Sequence, residues 1–187
     1  MKNKRRDREY EFTLILSGVD SITPEVEDAL FEAGCDDATL AIQCGRPYIT
    51  FCRAAESAKK ALISAIIDVR KAGLDVVRVD DCQLVSQSDI AHRAGLSRQL
   101  VHMYISGVRG PGRFPAPIGH LAEGAPLWMW CEVAHWLRTN NMVQDSLLEE
   151  SETIAAINTV LDVEWMRKQQ PKLMKDVTKS IAARTAT

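Results

Sequence analysis

Arg98, Gln99 and His102 fall within the five-residue run RQLVH of a 187-residue chain. These side-chain types read DNA. A guanidinium bridges O6 and N7 of guanine, and a carboxamide pairs with N6 and N7 of adenine. His102, one helical turn after Arg98, shares its face and reaches toward a base or a phosphate. Gln87, Arg93 and Ser97 lie nearby and suit contacts to the DNA backbone, where helix N-termini add partial positive charge. Arg109 and Arg113 are cations in a Gly/Pro-rich loop, able to straddle the backbone. Each of these residues, taken singly, is equally an exposed, solvated side chain. The elements around them decide between the two readings.

Those elements start with SQSDIAHRAGLSRQLVHMYISG, Ser86–Gly107. Ser86 with Asp89 three positions on makes a capping-box start. Ile90 and Ala94 face inward, and small Ala91 lets a second helix approach. Gly95 suits the positive φ of a sharp corner. Leu96 plugs that corner, and Ser97 is a good N-cap for the next helix. Leu100, Val101 and Tyr104 return to the interior, which leaves Arg98, Gln99 and His102 outside.

The spacing of Ala91, Gly95 and Val101 resembles the bacterial helix-turn-helix pattern. The next segment extends the likeness. Phe114, Pro115 and Pro117 form a Phe-Pro-x-Pro lead-in, and Trp130, Val133, Trp136 and Leu137 form an aromatic strand and a closing helix. Over residues 84–138 this resembles the small winged helix-turn-helix of the MerR-like and excisionase (AlpA-like) families. The resemblance implies a sequence-specific binder of double-stranded DNA with a β-hairpin wing. One departure stands out. Leu127, Trp128 and Met129 precede Trp130 where many of those proteins carry an arginine, so no basic wing tip is expected. Trp128 and Trp130 alternate along the expected strand, one toward the core and one toward the surface.

Upstream, residues 10–82 alternate strand and helix signals. YEFTLILSGV carries Phe12, Leu14 and Leu16 on one face of a strand. A helix follows, with Thr23 as N-cap, Pro24 at its first position and Gly34 as a left-handed stop. A hairpin turns at Gly45-Arg46, between Leu40/Ile42 and Tyr48/Ile49/Phe51. A second helix carries Leu62, Ile63, Ile66 and Val69 inward, and LDVVRVDD is a last strand. The order β-α-β-β-α-β predicts a ferredoxin-like α+β domain. Its β3-type strand lacks the aromatic pattern of an RNA-recognition sheet. The acid pairs Asp36-Asp37 and Asp80-Asp81 fall at turn signals and read as turn or cap residues.

The expected organisation is therefore α+β. A basic, disordered arm occupies residues 1–9, with Lys2, Lys4, Arg5, Arg6 and Arg8; an arm touching DNA is the alternative. The ferredoxin-like domain spans 10–82, the winged domain 83–140, and a helical tail 141–187. In the tail, Leu147, Leu148, Ile154, Ile157, Leu161 and Trp165 recur at helical spacing as one helix or two. Pro171 breaks the pattern before a short basic helix. The stripe serves either self-association, giving a homodimer or higher homo-oligomer, or packing within the chain.

Composition narrows the classes. The chain is 46% hydrophobic with net charge −2, an ordinary globular profile. Residues 84–138 carry five arginines against three acids and hold all four histidines, the one stretch with a positive balance. Five scattered cysteines without a CxxC pair argue against disulfides and zinc, and read as buried or half-buried thiols in a cytoplasmic protein. No membrane span, cofactor or metal site is expected, nor any acid/base or nucleophile constellation of an enzyme. The reading is a bacterial or phage-type transcriptional regulator. The alternatives are an excisionase-type recombination factor and an antitoxin-like or assembly protein, the first domain binding a protein partner.

Overall fold

Alternating apolar residues build the sheet of the computed structural model, which describes residues 7–184. Its strands are β1 (Arg8–Ser17), β2 (Ala38–Gln43), β3 (Arg46–Ala55) and β4 (Asp75–Val79), all neighbours antiparallel, in the order β2-β3-β1-β4. Leu14 lies opposite Ile49 and Phe12 opposite Phe51. Directly opposed residues point to the same side of a sheet, so these four and Leu16 share one face. Leu14, Leu16, Ile49 and Phe51 are buried. Helix α2 (Ala58–Lys71) lies against β1, β3 and β4 and buries Ala61, Leu62, Ala65, Ile66 and Val69, while α1 (Pro24–Glu32) buries Leu30. The chain is thus mixed α+β.

Several expectations need correction. The strand begins at Arg8, so Arg8 and Glu9 of the expected arm belong to the sheet; residues 1–6 lie outside the described residues. The hairpin turns at Cys44-Gly45, one residue early, because both adopt positive φ (52° and 73°), the pattern of a tight two-residue turn. Ile63 is exposed, since the burial stripe of α2 runs through positions 58, 61, 62, 65, 66 and 69 and leaves position 63 to one side. Cys44, Cys52 and Cys82 are exposed, whereas Cys35 is buried and burial pushes its thiol up to about 11.

Asp37 does more than make a turn. Arg53 is buried on β3, and every guanidinium N–H direction finds an acceptor. Nε and Nη2 bond Asp37 (2.8 and 2.9 Å), Nη1 bonds Asp68 and Ser64 (2.9 and 3.1 Å), and Nη2 also bonds the Gly34 carbonyl (2.8 Å). The group stacks 4.7 Å over the Phe51 ring. Burial by itself works against the charge. The carboxylates of Asp37 and Asp68 outweigh it and hold the guanidinium above its ordinary pKa. One side chain therefore ties the end of α1, the start of β2, strand β3 and helix α2.

The compact units fall at other boundaries than expected. One comprises the residues through Asp80 together with those from Ala156 onward, and the other is Asp81–Ala155. The tail forms one long helix, α6 (Asp145–Gln169), and then α7 (Pro171–Arg184), which Pro171 opens at its first position. In the first unit, Asn158 of α6 acts as a strand would. Its Oδ1 accepts from the Val79 amide (2.8 Å) and its Nδ2 donates to the Val79 carbonyl (3.2 Å). The outward amide and carbonyl at the end of β4 are thereby satisfied. Leu161 is buried beside it, while Trp165 is half-exposed. Among the described residues, no helix is long and apolar enough to cross a membrane.

The second unit has β5 (Leu84–Val85) paired antiparallel with β6 (Trp128–Met129), and helices α3 (Gln87–Ala94), α4 (Arg98–Ile105) and α5 (Trp130–Thr139). Its core is Val85, Ile90, Val101, Trp128, Trp130, Val133, Trp136 and Leu137. Trp128 and Trp130 are both buried, contrary to the expected alternation. Trp130 opens α5, so the strand ends before the alternation can carry it outward.

Replacing Arg53 leaves two acids facing each other without their cation. Arg53→Met is expected to cost about 3–5 kcal/mol in urea unfolding of the full chain. Adding Asp37→Asn and Asp68→Asn should restore part of it. A loss below about 1 kcal/mol for the single change would remove Arg53 from this role.

Candidate nucleic-acid interface

Two eight-residue helices carry the candidate residues, and local chemistry sets the ends of both. Ser86 and Asp89 form the reciprocal capping box. The Asp89 amide donates to Ser86 Oγ (3.3 Å), and the Ser86 amide and hydroxyl donate to Asp89 Oδ2 (2.8 and 2.7 Å). Gly95 caps α3 in the left-handed region (φ 64°, ψ 30°), and the Leu96 amide returns to the Ala91 carbonyl (2.9 Å). Ser97 then caps α4 by accepting from the Leu100 amide (3.2 Å). The Gln87 side chain spans the corner and donates to the Arg98 carbonyl (2.9 Å).

Helix α4 presents two different sides. Val101 is fully buried, and Tyr104 and Ile105 pack on the core. Arg98, Gln99 and His102 are exposed. At about 100° per residue these three occupy an arc of about 100°. Among the described residues, none of the three side chains has a hydrogen bond or ion pair.

The loop after α4 is held by aromatic rings. The Trp136 indole donates to the Gly112 carbonyl (2.9 Å) and the Trp128 indole to the Pro115 carbonyl (3.0 Å). Phe114 meets both rings edge-on, at 4.9 Å for Trp136 and 6.4 Å for Trp128, and Tyr104 tilts against Trp136 at 5.4 Å. Gly110 lies flat on Tyr104, where an added Cβ would come within 2.6 Å of the ring. Arg113 takes a positive φ (53°) between these anchors. Arg109 and Arg113 project from this loop as exposed side chains. Beyond it, the chain folds back on itself through a Gly119–Leu127 bridge, with His120 Nδ1 3.0 Å from Glu123 at the tip. Residues 119–127 carry no arginine or lysine.

Not every candidate is free for DNA. Arg93 is half-buried, pairs with Asp81 (2.8 Å) and lies 5.3 Å over the Trp130 ring. Its guanidinium is spent inside the unit, so the expected backbone contact is replaced by a packing role. Asp81 likewise is an ion-pair partner and not simply a turn residue. Gln87 is occupied by its strap to Arg98, and Ser97 serves first as a cap. Arg138 pairs with Asp145. Of the five arginines between 84 and 138, two are thus tied to acids. The three without such a partner among the described residues are Arg98, Arg109 and Arg113.

Sequence reasoning did not find the indole donors that fix the loop. The signal was present: a tryptophan N–H that becomes buried needs an acceptor, and a Gly/Pro-rich loop offers free carbonyls. No protein-family profile, curated protein or solved structure matches the chain.

Two outcomes check this geometry. A Cβ at Gly95 meets nothing within 4 Å, so the cost of Gly95→Ala is conformational, about 1–2 kcal/mol in thermal or urea unfolding. Gly95→Asn should lose less, and a neutral alanine would rule out the left-handed corner. The second concerns pH. Hydrogen bonds from the Ser86 hydroxyl and then its amide hold Asp89 below the ordinary 3.8. A folded-state pKa below the unfolded one gives stability that is present above the unfolded value and lost as pH falls through the folded one. Unfolding between pH 7 and pH 2 should therefore show a loss on acidification that Asp89→Asn reduces. Equal pH profiles would contradict the capping box.

Proposed function

We propose that residues 81–155 form a winged helix-turn-helix that binds double-stranded DNA by sequence, with α4 as the recognition helix. One observation carries this reading: Arg98, Gln99 and His102 share the outer arc of a helix whose inner side is locked into a core, and nothing in the described chain uses them. Their chemistry fits base edges in the major groove. Arg109 and Arg113, on the loop anchored by Trp136 and Trp128, supply phosphate contacts that set the register. The N-termini of α3 and α4 add amide donors. The support from charge is local: residues 81–155 carry five arginines against eight acids, and the three arginines without an acid partner among the described residues, Arg98, Arg109 and Arg113, lie on α4 and the loop after it. The aromatic cluster and the folded-back 118–127 segment favour the winged class that the sequence resembles.

The strand order β2-β3-β1-β4 with two crossing helices supports a ferredoxin-like reading of the first unit. Such a domain has no chemistry of its own, and we assign it to binding a protein partner or a second copy. The protein is then a cytoplasmic regulator of transcription or an accessory factor of recombination. No enzymatic activity is assigned. A second reading, an antitoxin-like or assembly protein, draws on the exposed apolar side chains Val108, Ile118 and Leu121, which suit a protein surface.

Selection of bound sequences from a random DNA pool at physiological salt tests the proposal. On the selected site, Arg98→Ala and Gln99→Ala should each cost about 1–3 kcal/mol, roughly 5- to 150-fold, and relax specificity at one position. Arg109→Ala and Arg113→Ala should weaken binding to all sequences and each lower the salt slope by about 1. Binding that stays sequence-independent, or that ignores Arg98 and Gln99, favours the second reading.

A further inference from the structure

The two edges of the first unit's sheet are finished differently. On β4, Asn158 takes up the outward amide and carbonyl of Val79, whereas among the described residues β2 pairs only with β3. Beside β2 runs a groove lined by Glu27, Leu30, Phe31, Asp36, Leu40 and Ile49. Phe31 stands 68% exposed at its wall, a large apolar group left in water. The surroundings are acidic. Helix α1 carries Glu25, Glu27, Asp28 and Glu32 and no cation.

Helix α7 has the opposite character. Leu173 and Val177, four residues apart, are exposed at 50% and 44%, with Met174 half-buried beside them. Lys172, Lys175 and Lys179 stand against a single acid, Asp176. At about 100° per residue the lysines fall on the side away from Leu173 and Val177. They therefore steer an approach and leave the apolar stripe to make the contact.

We propose that α7 of one copy docks in the α1–β2 groove of a second copy, reciprocally, so that the protein self-associates as a two-fold dimer. Charge selects this pairing among the symmetric ones. Joining two β2 edges would bring two acidic α1 helices together, and two α7 helices joined through their apolar stripes would hold their lysines on the outer sides and gain no attraction from charge. Only α7 on α1 pairs opposite signs. The chain's own α7 follows α6, the helix whose Asn158 bonds Val79 at the β4 edge. The groove lies at the other edge, three strand spacings or about 14 Å across the sheet. Within the chain, both Phe31 and the α7 stripe remain exposed. A donor at one edge and an acceptor at the other is a head-to-tail arrangement that closes when each copy gives and receives. The inference does not depend on DNA binding.

Sedimentation equilibrium of the full chain without DNA tests it. The unaltered protein should dimerise, with affinity that falls as salt rises. Phe31→Asp and Val177→Asp, both at exposed positions and checked for folding by circular dichroism, should each weaken the dimer at least tenfold. A mixture of the two variants keeps one intact groove–helix contact and should associate more tightly than either alone. Three results overturn the proposal: a monomer at every concentration, a dimer lost with Val177→Asp but unaffected by Phe31→Asp, or a mixture no tighter than its parts. The second result would mean that α7 pairs with itself. None of these results touches the assignment of α4 to DNA, which is read from base-specific binding by Arg98 and Gln99 variants.

Discussion

Helices of eight residues do not persist alone in water. That constraint governs the second unit, because the proposed reading surface sits on one of two such helices. Their stability has to come from what they bury. Trp128, Trp130 and Trp136 are buried in the core of that unit, and Val101 and Ile90 insert the two helices into it. The same rings have a second use. The indole N–H groups of Trp128 and Trp136 donate to the loop that follows α4, so the core that steadies the helix also fixes Arg109 and Arg113 relative to it. Packing and positioning are one set of contacts here.

In the first unit the corresponding role falls to a charge. Arg53 occupies a core position on β3 where a hydrophobic residue would cost less to bury. It is tolerated because its donors converge on Asp37, Asp68, Ser64 and a helix-terminal carbonyl. An apolar side chain there would fill space without choosing among packings of α1 and α2. The directional bonds of a guanidinium accept one arrangement.

Much of this was legible in the chain. The strands showed in the alternation of Phe12, Leu14 and Leu16, the corner in Ala91-Gly95-Val101, and both caps of the helix pair in Ser86 and Ser97. These are local signals, set by residues within a few positions of each other. What escaped was set at long range. Arg93 reads as a surface cation until Asp81 and Trp130 are brought beside it. Asp37 reads as a turn residue until Arg53 arrives from the next strand. Ile63 and Ile66 look alike in an apolar run, and only the angle at which α2 meets the sheet separates them. The outer arc of α4 was legible because a helix period alone fixes it. The Trp130 side was not, because it depended on where a strand stopped.

Asn158 satisfies the edge amide and carbonyl of Val79 from 79 residues downstream. The first unit is therefore discontinuous in the chain, with the whole second unit made in between. On a ribosome adding about 5–20 residues per second, β4 waits about 4–16 s with its edge amide and carbonyl open. During that interval the nascent sheet can accept a strand from elsewhere. The order of synthesis thus creates a period of exposure that the finished protein no longer shows, and its length is set by how fast residues 80–158 are made.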